Sequence, residues 1–306
     1  MSNSSSSDNL RKTSGWLNIY KPRGISSAKA VSLIKRAFRG SKIGHTGTLD
    51  LEAEGVLPIA IGEATKLVSI LIDAKKRYNF TVKFGAKTDT ADSAGKVIET
   101  SNHIPSEEEC HKICSQFIGK VEQIPPAYSA LKVNGQRAYK LARAGEEVKL
   151  AKRCITIYDL KCTSYDHEAQ TASYVCDCSK GTYIRTLAED ISLSLQSLGF
   201  VLQLRRLKVG MFDAASAVDI SDYMTIDFAE ATAFLQNKCL KIEDVLDDIP
   251  VLEASESQTQ KIRFGQNCQF EDDQDYDLVW VRHNSRIVAI GSLLSNNFKS
   301  SRVFNL

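Results

Sequence analysis

Alternation of apolar and polar residues is cleanest at residues 78–85, where Tyr78, Phe80, Val82 and Phe84 face one way and Asn79, Thr81, Lys83 and Gly85 the other. That period predicts a half-buried strand with Tyr78 at the start of its inward face. Two further alternating stretches, 154–165 and 171–178, read as strands joined by a polar turn. Gly181 and Thr182 then open a helix to about residue 198, followed by a strand at 201–209 (VLQLRRLKV). Continuous apolar runs at 15–20 (GWLNIY) and 56–61 (VLPIAI) predict short strands, the second buried. A helix capped by Ser26 or Ser27 carries Ala30, Val31, Ile34 and Phe38 on one stripe and Lys29, Lys35, Arg36 and Arg39 outside it. Residues 63–74 and 107–118 are further helices, and 220–249 is acidic with a helical pattern. Near the end, 277–281 and 286–294 read as short strands.

Composition narrows the class. With 306 residues, 43% hydrophobic and 25% charged, the chain is an ordinary globular one, long enough for one large domain and a smaller one. No apolar run reaches the roughly 18 residues a membrane span needs. The opening MSNSSSSDNL lacks an apolar core, so residues 1–12 read as a disordered tail rather than a signal peptide, and a cytoplasmic location follows. The eight cysteines and five histidines show no metal-ligand spacing, so no metal is expected and the thiols are expected reduced and mostly buried.

Net charge is only +2, yet it is polarised. Residues 11–50 hold nine Lys or Arg against the single acid Asp50, and 119–153 hold eight bases against three acids, whereas 221–248 hold two bases against seven. One basic, phosphate-facing side is the functional reading, and a merely solvated face the alternative.

Asp50 ends a Gly-punctuated turn, GHTGTLD at 44–50, between that basic segment and the apolar run that follows. A lone anion in a cationic field, on a loop braced by a strand, is placed as a nucleophile would be. A local turn or N-cap aspartate fits the same residues. Arg185, in the first turn of its helix, opposes the macrodipole and needs compensation, for which Glu189 four residues on is available. The loop DTADSAG at 89–95 lacks the later bidentate Glu of a calcium loop and reads as a turn.

Several motifs in one order give these residues a context: GHTGTLD followed by GVLPIAIGEATK, Lys76-Arg77-Tyr78, TDTADSAG, IPPAYSALKVNG and SKGTYIRTLAED. From about Gly15 to about Phe212 the chain resembles the TruB family of tRNA pseudouridine synthases. One departure is Leu51-Glu52-Ala53-Glu54-Gly55 after the aspartate, where the family usually reads Pro-Leu-Ala-Thr-Gly. The resemblance implies an α+β fold with a mixed, mostly antiparallel central sheet, flanking helices and a catalytic cleft. It places the catalytic domain at 13–245, an RNA-clasping insertion at 119–153, and a small β-rich, PUA-like RNA-binding domain at 246–306. It implies isomerisation of uridine-55 in the T arm of tRNA, without cofactor, nucleotide or membrane, by a monomer. Asp50 would be the nucleophile, Arg185 its partner and Tyr78 the ring stacked on the target base. Tyr183 and Leu204 would line the pocket, His45 would fill the space left by the flipped base or hold the flipped geometry, and Lys21 would make a phosphate or structural contact. A uracil-releasing glycosylase and an RNA-binding protein with a vestigial cleft are the alternatives.

Overall fold

The computed structural model describes residues 13–306 except 134, 147 and 226, so the tail expected at 1–12 lies outside the described residues. Ten strands form the main sheet. Its principal members are β1 (Gly15–Lys21), β2 (Ile43–His45), β3 (Ala53–Ile61), β4 (Lys76–Phe84), β5 (Gly119–Gln123), β6 (Arg153–Asp166), β7 (Thr171–Cys178) and β8 (Gly199–Val209). Across the sheet the order is β1, β3, β8, β4, β7, β6, β5, with β2 paired to β3 and two-residue segments flanking β1 and β8. Only β3 with β8 and β1 with Val218–Asp219 run parallel, so the sheet is mixed and mostly antiparallel, as expected.

Helix α1 (Ser27–Ala37) begins where the Ser26 side chain accepts from the Lys29 amide, satisfying one of the free donors of a helix start. It buries Ala30, Leu33, Ile34 and Ala37 against Leu17 and Ile19 of β1 and Leu57 and Ile59 of β3. Helix α2 (Ile184–Ser194) buries Ile184, Leu187, Ala188 and Ile191 against Phe80 and Val82 of β4 and Tyr174 and Cys176 of β7. Each such side chain, moved fully out of water, contributes about 2 kcal/mol. Lys29, Lys35, Arg36 and Arg39 lie on the exposed side of α1.

Some boundaries differ from the sequence pattern. The helices expected at 63–74 and 107–118 are each part 3-10 helix, at Gly62–Leu67 and Ile113–Phe117. Their buried residues Ala64 and Leu67 sit three apart, a spacing that a tighter coil brings onto one side. The segment from 119, expected as a clasping insertion, opens with β5, which pairs with the start of β6 and closes the insertion at its base. A hairpin of Ala86–Thr88 and Val97–Thr100 was also not legible, because every residue of its second strand is exposed and nothing alternates.

The C-terminal part folds as a five-stranded sheet in the order Val251–Glu253, Tyr276–His283, Arg286–Leu294, Asn297–Val303, Cys268–Gln269. Trp280, Ile287, Ile290 and Phe304 pack into one core with Trp16, Val56, Ala60, Val209 and Phe212 of the large sheet. Lys66 Nζ donates to the Val303 carbonyl at 2.7 Å and the Asn305 amide to Glu63 at 2.8 Å across the same seam. No helix among the described residues is long and apolar enough to cross a membrane.

Candidate active site

The GHTGTLD turn connects β2 to β3, which pair antiparallel with His45 opposite Ile59. Ser27, at the start of α1, grips the turn from below: its hydroxyl accepts from the Leu49 amide at 2.9 Å and donates to the Leu49 carbonyl at 3.0 Å. Leu49 is itself buried in the core under β1 and β3. The Gly24 amide donates to the Leu51 carbonyl on the other side of Asp50. The carboxylate therefore projects from a turn pinned on both sides, 43% exposed at its side chain.

Arg185 comes from the first turn of α2. Its Nε lies 3.0 Å from Asp50 Oδ2, while its other two nitrogens donate to the Thr90 carbonyl at 3.1 Å and the Tyr128 carbonyl at 2.9 Å. Glu189, the alternative partner, pairs instead with Lys87 at 3.4 Å. The first turn of α2 is thus compensated by the site and not by its own surface. Tyr183, just before α2, exchanges two backbone hydrogen bonds with the Gln123 amide side chain at the end of β5. Its phenol is pushed up by burial and lies in the field of both Asp50 and Arg185.

Tyr78 stands on β4 opposite Cys176 of β7 and Arg206 of β8. Burial raises its phenol, Arg206 opposes that rise, and Asp50 is close enough to add to it. Leu204 pairs with Phe80 and Ala53 and bridges the cores of both sheet halves. His45 Nδ1 accepts from the Gly47 amide at 3.2 Å. Its ring is held neutral, first by burial and then by the cation of Arg206. Asp50, Arg185 and Leu204 line one small cavity with Asp92, Ser93 and Val201. It holds about 10 Å³, room for about one water.

Lys21 is the member of the expected set whose position excludes a phosphate contact. It is fully buried, and its Nζ donates to the carbonyls of Pro22 at 2.9 Å, Ile25 at 2.8 Å and Ala53 at 2.5 Å. Burial lowers it to about 8, against an opposing pull from Asp50. Its place is structural, joining the Lys-Pro-Arg-Gly turn to the start of β3.

Two participants were missed. The 89–95 loop, read as a plain turn, supplies the Thr90 carbonyl to Arg185 and sets Asp92 Oδ2 4.0 Å from the Arg185 Nε. Arg206, read only as a basic strand residue, is buried and donates to the carbonyls of Gly47 in the GHTGTLD turn and Val56 of β3. The two extra carboxylates are both paired away from Asp50, Glu52 with Arg23 at 2.6 Å and Glu54 with Arg205 at 3.7 Å. A cavity of about 1010 Å³ lies elsewhere, between Lys42, Lys66, Lys241 and Arg286, and holds none of these groups.

Comparison with known proteins agrees with this arrangement. The signature of the TruB family pseudouridylate synthase (N terminal domain) matches residues 35–184. A tRNA pseudouridine synthase B of Rickettsia bellii (strain OSU 85-389) is 61% identical over 95% of this chain and 98% of its own length. That of Rickettsia akari (strain Hartford) is 58% identical over the same shares. Among solved structures, an H/ACA RNP bound to a substrate RNA containing 2'-deoxyuridine superposes with a TM-score of 0.71 at 20% identity, over 95% of this chain and 85% of its own, a likeness of fold. On these grounds the chain belongs to the TruB family of pseudouridylate synthases, which are isomerases.

Proposed function

We propose that the chain converts uridine-55 in the T arm of tRNA to pseudouridine, with Asp50 as nucleophile. The observation that carries this is the 3.0 Å pair between Asp50 and Arg185, whose remaining donors are fixed by two main-chain carbonyls. A guanidinium held in that way cannot swing off, so the charge-assisted pair aims the carboxylate before substrate arrives. The relatives named tRNA pseudouridine synthase B at 61% and 58% identity support tRNA as the substrate.

The target uridine must leave its stack, at a cost of a few kcal/mol. The cavity beside Asp50 is far too small for a pyrimidine ring, so binding has to part its walls. Tyr78 then stacks on the uracil, with Tyr183 and Leu204 closing the pocket and the neutral His45 ring filling the space vacated in the RNA. Asp50 attacks C1′ of the ribose or C6 of the uracil, and the bond from N1 to C1′ breaks. The uracil turns, C5 bonds to C1′, the carbon–oxygen bond to Asp50 breaks and returns the free carboxylate, the C5 proton leaves to a base, and N1 takes up a proton. Atoms and electrons balance without a redox partner, so the reaction needs no cofactor. Residues 13–245 serve as the catalytic domain and 246–306 as a PUA-like RNA-binding domain in a cytoplasmic monomer.

The test is Asp50→Asn, assayed by tritium release from tRNA labelled at uridine C5. The amide is close to isosteric but is not an anionic nucleophile, so tRNA affinity should persist and turnover should vanish. Turnover within about tenfold of wild type would remove Asp50 from that role. Free uracil among the products would mark a glycosylase instead.

A further inference from the structure

Arg206 sits on β8 two residues beyond Leu204. It is 2% exposed, and its Nε donates to the Val56 carbonyl at 2.7 Å while Nη2 donates to the Gly47 carbonyl at 3.1 Å. Across the ladder it stands directly opposite Tyr78 of β4, whose phenol lies in the field of its cation. It thus bonds the GHTGTLD turn at Gly47 to β3 at Val56 and does so beside Tyr78. No carboxylate lies within 4 Å of it among the described residues, and a buried cation without an anionic partner is costly to keep. A strand interior would be filled more cheaply by leucine or methionine, unless the directed donors were needed.

The backbone around it is shaped to bring it in. Gly55 of β3 lies opposite Arg206 with φ +111°, and a Cβ there would meet the Arg206 carbonyl oxygen at 2.2 Å. Only glycine allows that approach. A register shift between Arg206 and Lys208 interrupts the pairing of β8 with β4. Such irregularities re-aim side chains next to active sites. The cation also bears on Lys21, His45 and Lys76, which it disfavours in charged form.

We propose that Arg206 is a positioning residue, fixing the Tyr78 ring and the Gly47 end of the nucleophile loop in one relation, so that the stacking ring and the attacking carboxylate are set relative to each other before RNA binds. It deepens the reading in which Asp50 and Tyr78 serve the reaction, and it does not touch the substrate itself.

The experiment is a double-mutant cycle between Arg206→Met and Tyr78→Phe, read by single-turnover tritium release at saturating enzyme, with tRNA affinity and urea unfolding measured on each variant. Arg206→Met should slow the single-turnover rate about 100-fold, as an ångström of misplacement does, with tRNA affinity within about threefold of wild type. In the Tyr78→Phe background the same substitution should cost less than about tenfold, because the phenol that the Arg206 cation faces is already gone. Equal losses in both backgrounds, a rate within about threefold of wild type, or a loss wholly in affinity would overturn the proposal. If Arg206→Met does not fold, Arg206→Lys carries the test: one ammonium cannot reproduce the fork that serves the Val56 and Gly47 carbonyls together, so about a tenfold loss at unchanged affinity is expected, and a wild-type rate refutes. Should Asp50→Asn turn over normally, the parent reading fails and not merely this one.

Discussion

Arg185→Met separates a residue of the site from a residue of the helix surface by magnitude alone. The side chain is 5% exposed and donates to Thr90, Tyr128 and Asp50. Methionine preserves most of the volume, but each buried carbonyl left without a donor costs about 1–3 kcal/mol. The ion pair adds less than its geometry suggests, because Asp50 is 43% exposed and solvent screens it to about 1 kcal/mol or below. The sum is about 2–7 kcal/mol of lost stability, several times the 0.5 kcal/mol or less of an exposed pair four residues apart. Turnover should fall further than stability implies, since a carboxylate freed to move by an ångström loses about 100-fold.

Urea unfolding reads the first quantity, through the midpoint at constant slope. Tritium release under single-turnover conditions reads the second, with tRNA affinity measured alongside. Arg185→Lys should also be impaired, because a point ammonium cannot serve a carboxylate and two carbonyls lying in different directions. The reasoning is refuted if both variants keep the wild-type single-turnover rate while Glu189→Ala reproduces their stability loss. The observed Lys87 contact of Glu189 predicts that Glu189→Ala does neither.

Lys21→Met should lower stability by about 2–4 kcal/mol, through three orphaned carbonyls partly offset by removal of a buried charge, and leave tRNA affinity and its salt slope unchanged. A salt slope reduced by about one would instead reveal a phosphate contact. His45 is held neutral with its proton affinity below the usual 6.5, so the unfolded chain binds the proton more tightly. Stability should therefore fall as pH drops below about 6.5 and level off only below the folded-state value. His45→Asn, compared with wild type by urea midpoint from pH 8 down to pH 5, should lack that decline, and parallel curves would show that His45 is not its source.

The strand with the strictest alternation, 78–84, folded in the register its pattern required, and Tyr78 took the inward place. The helix at Arg185 was legible too, as was its electrostatic anomaly, though not the partner, because that partner lies on a loop 135 residues earlier in the chain. Arg206 was hidden for a different reason. Along β8 the buried positions are 199, 201, 206 and 209, and register shifts at two places break the period of two that would have marked it. Thr90 and Tyr128 act through main-chain carbonyls, for which no side-chain pattern exists. The edge strand β5 alternates weakly because one of its faces meets solvent, and it was lost in a segment whose charge drew the eye to RNA.

The charges around Asp50 are sorted by depth, and this resolves the departure at Glu52 and Glu54. Lys21, Lys76, Arg185 and Arg206 are all buried, and each spends donors on main-chain carbonyls. A carbonyl satisfies a donor without adding net charge, so these cations stay uncompensated in the direction of the cleft, where carboxylate partners would have cancelled their field. Asp50 is the anion nearest Arg185, with Asp92 a full ångström farther off. Glu52, which also lines the cavity beside Asp50, is paired with Arg23, and Glu54 with Arg205. Arg23 also donates to Ser93 at 2.9 Å, tying the Glu52 pair to the loop that braces Arg185. The two acids therefore do not compete with Asp50 for its cation: they pair with other arginines, and Asp50 keeps the only carboxylate bond that these buried cations make within 3 Å among the described residues.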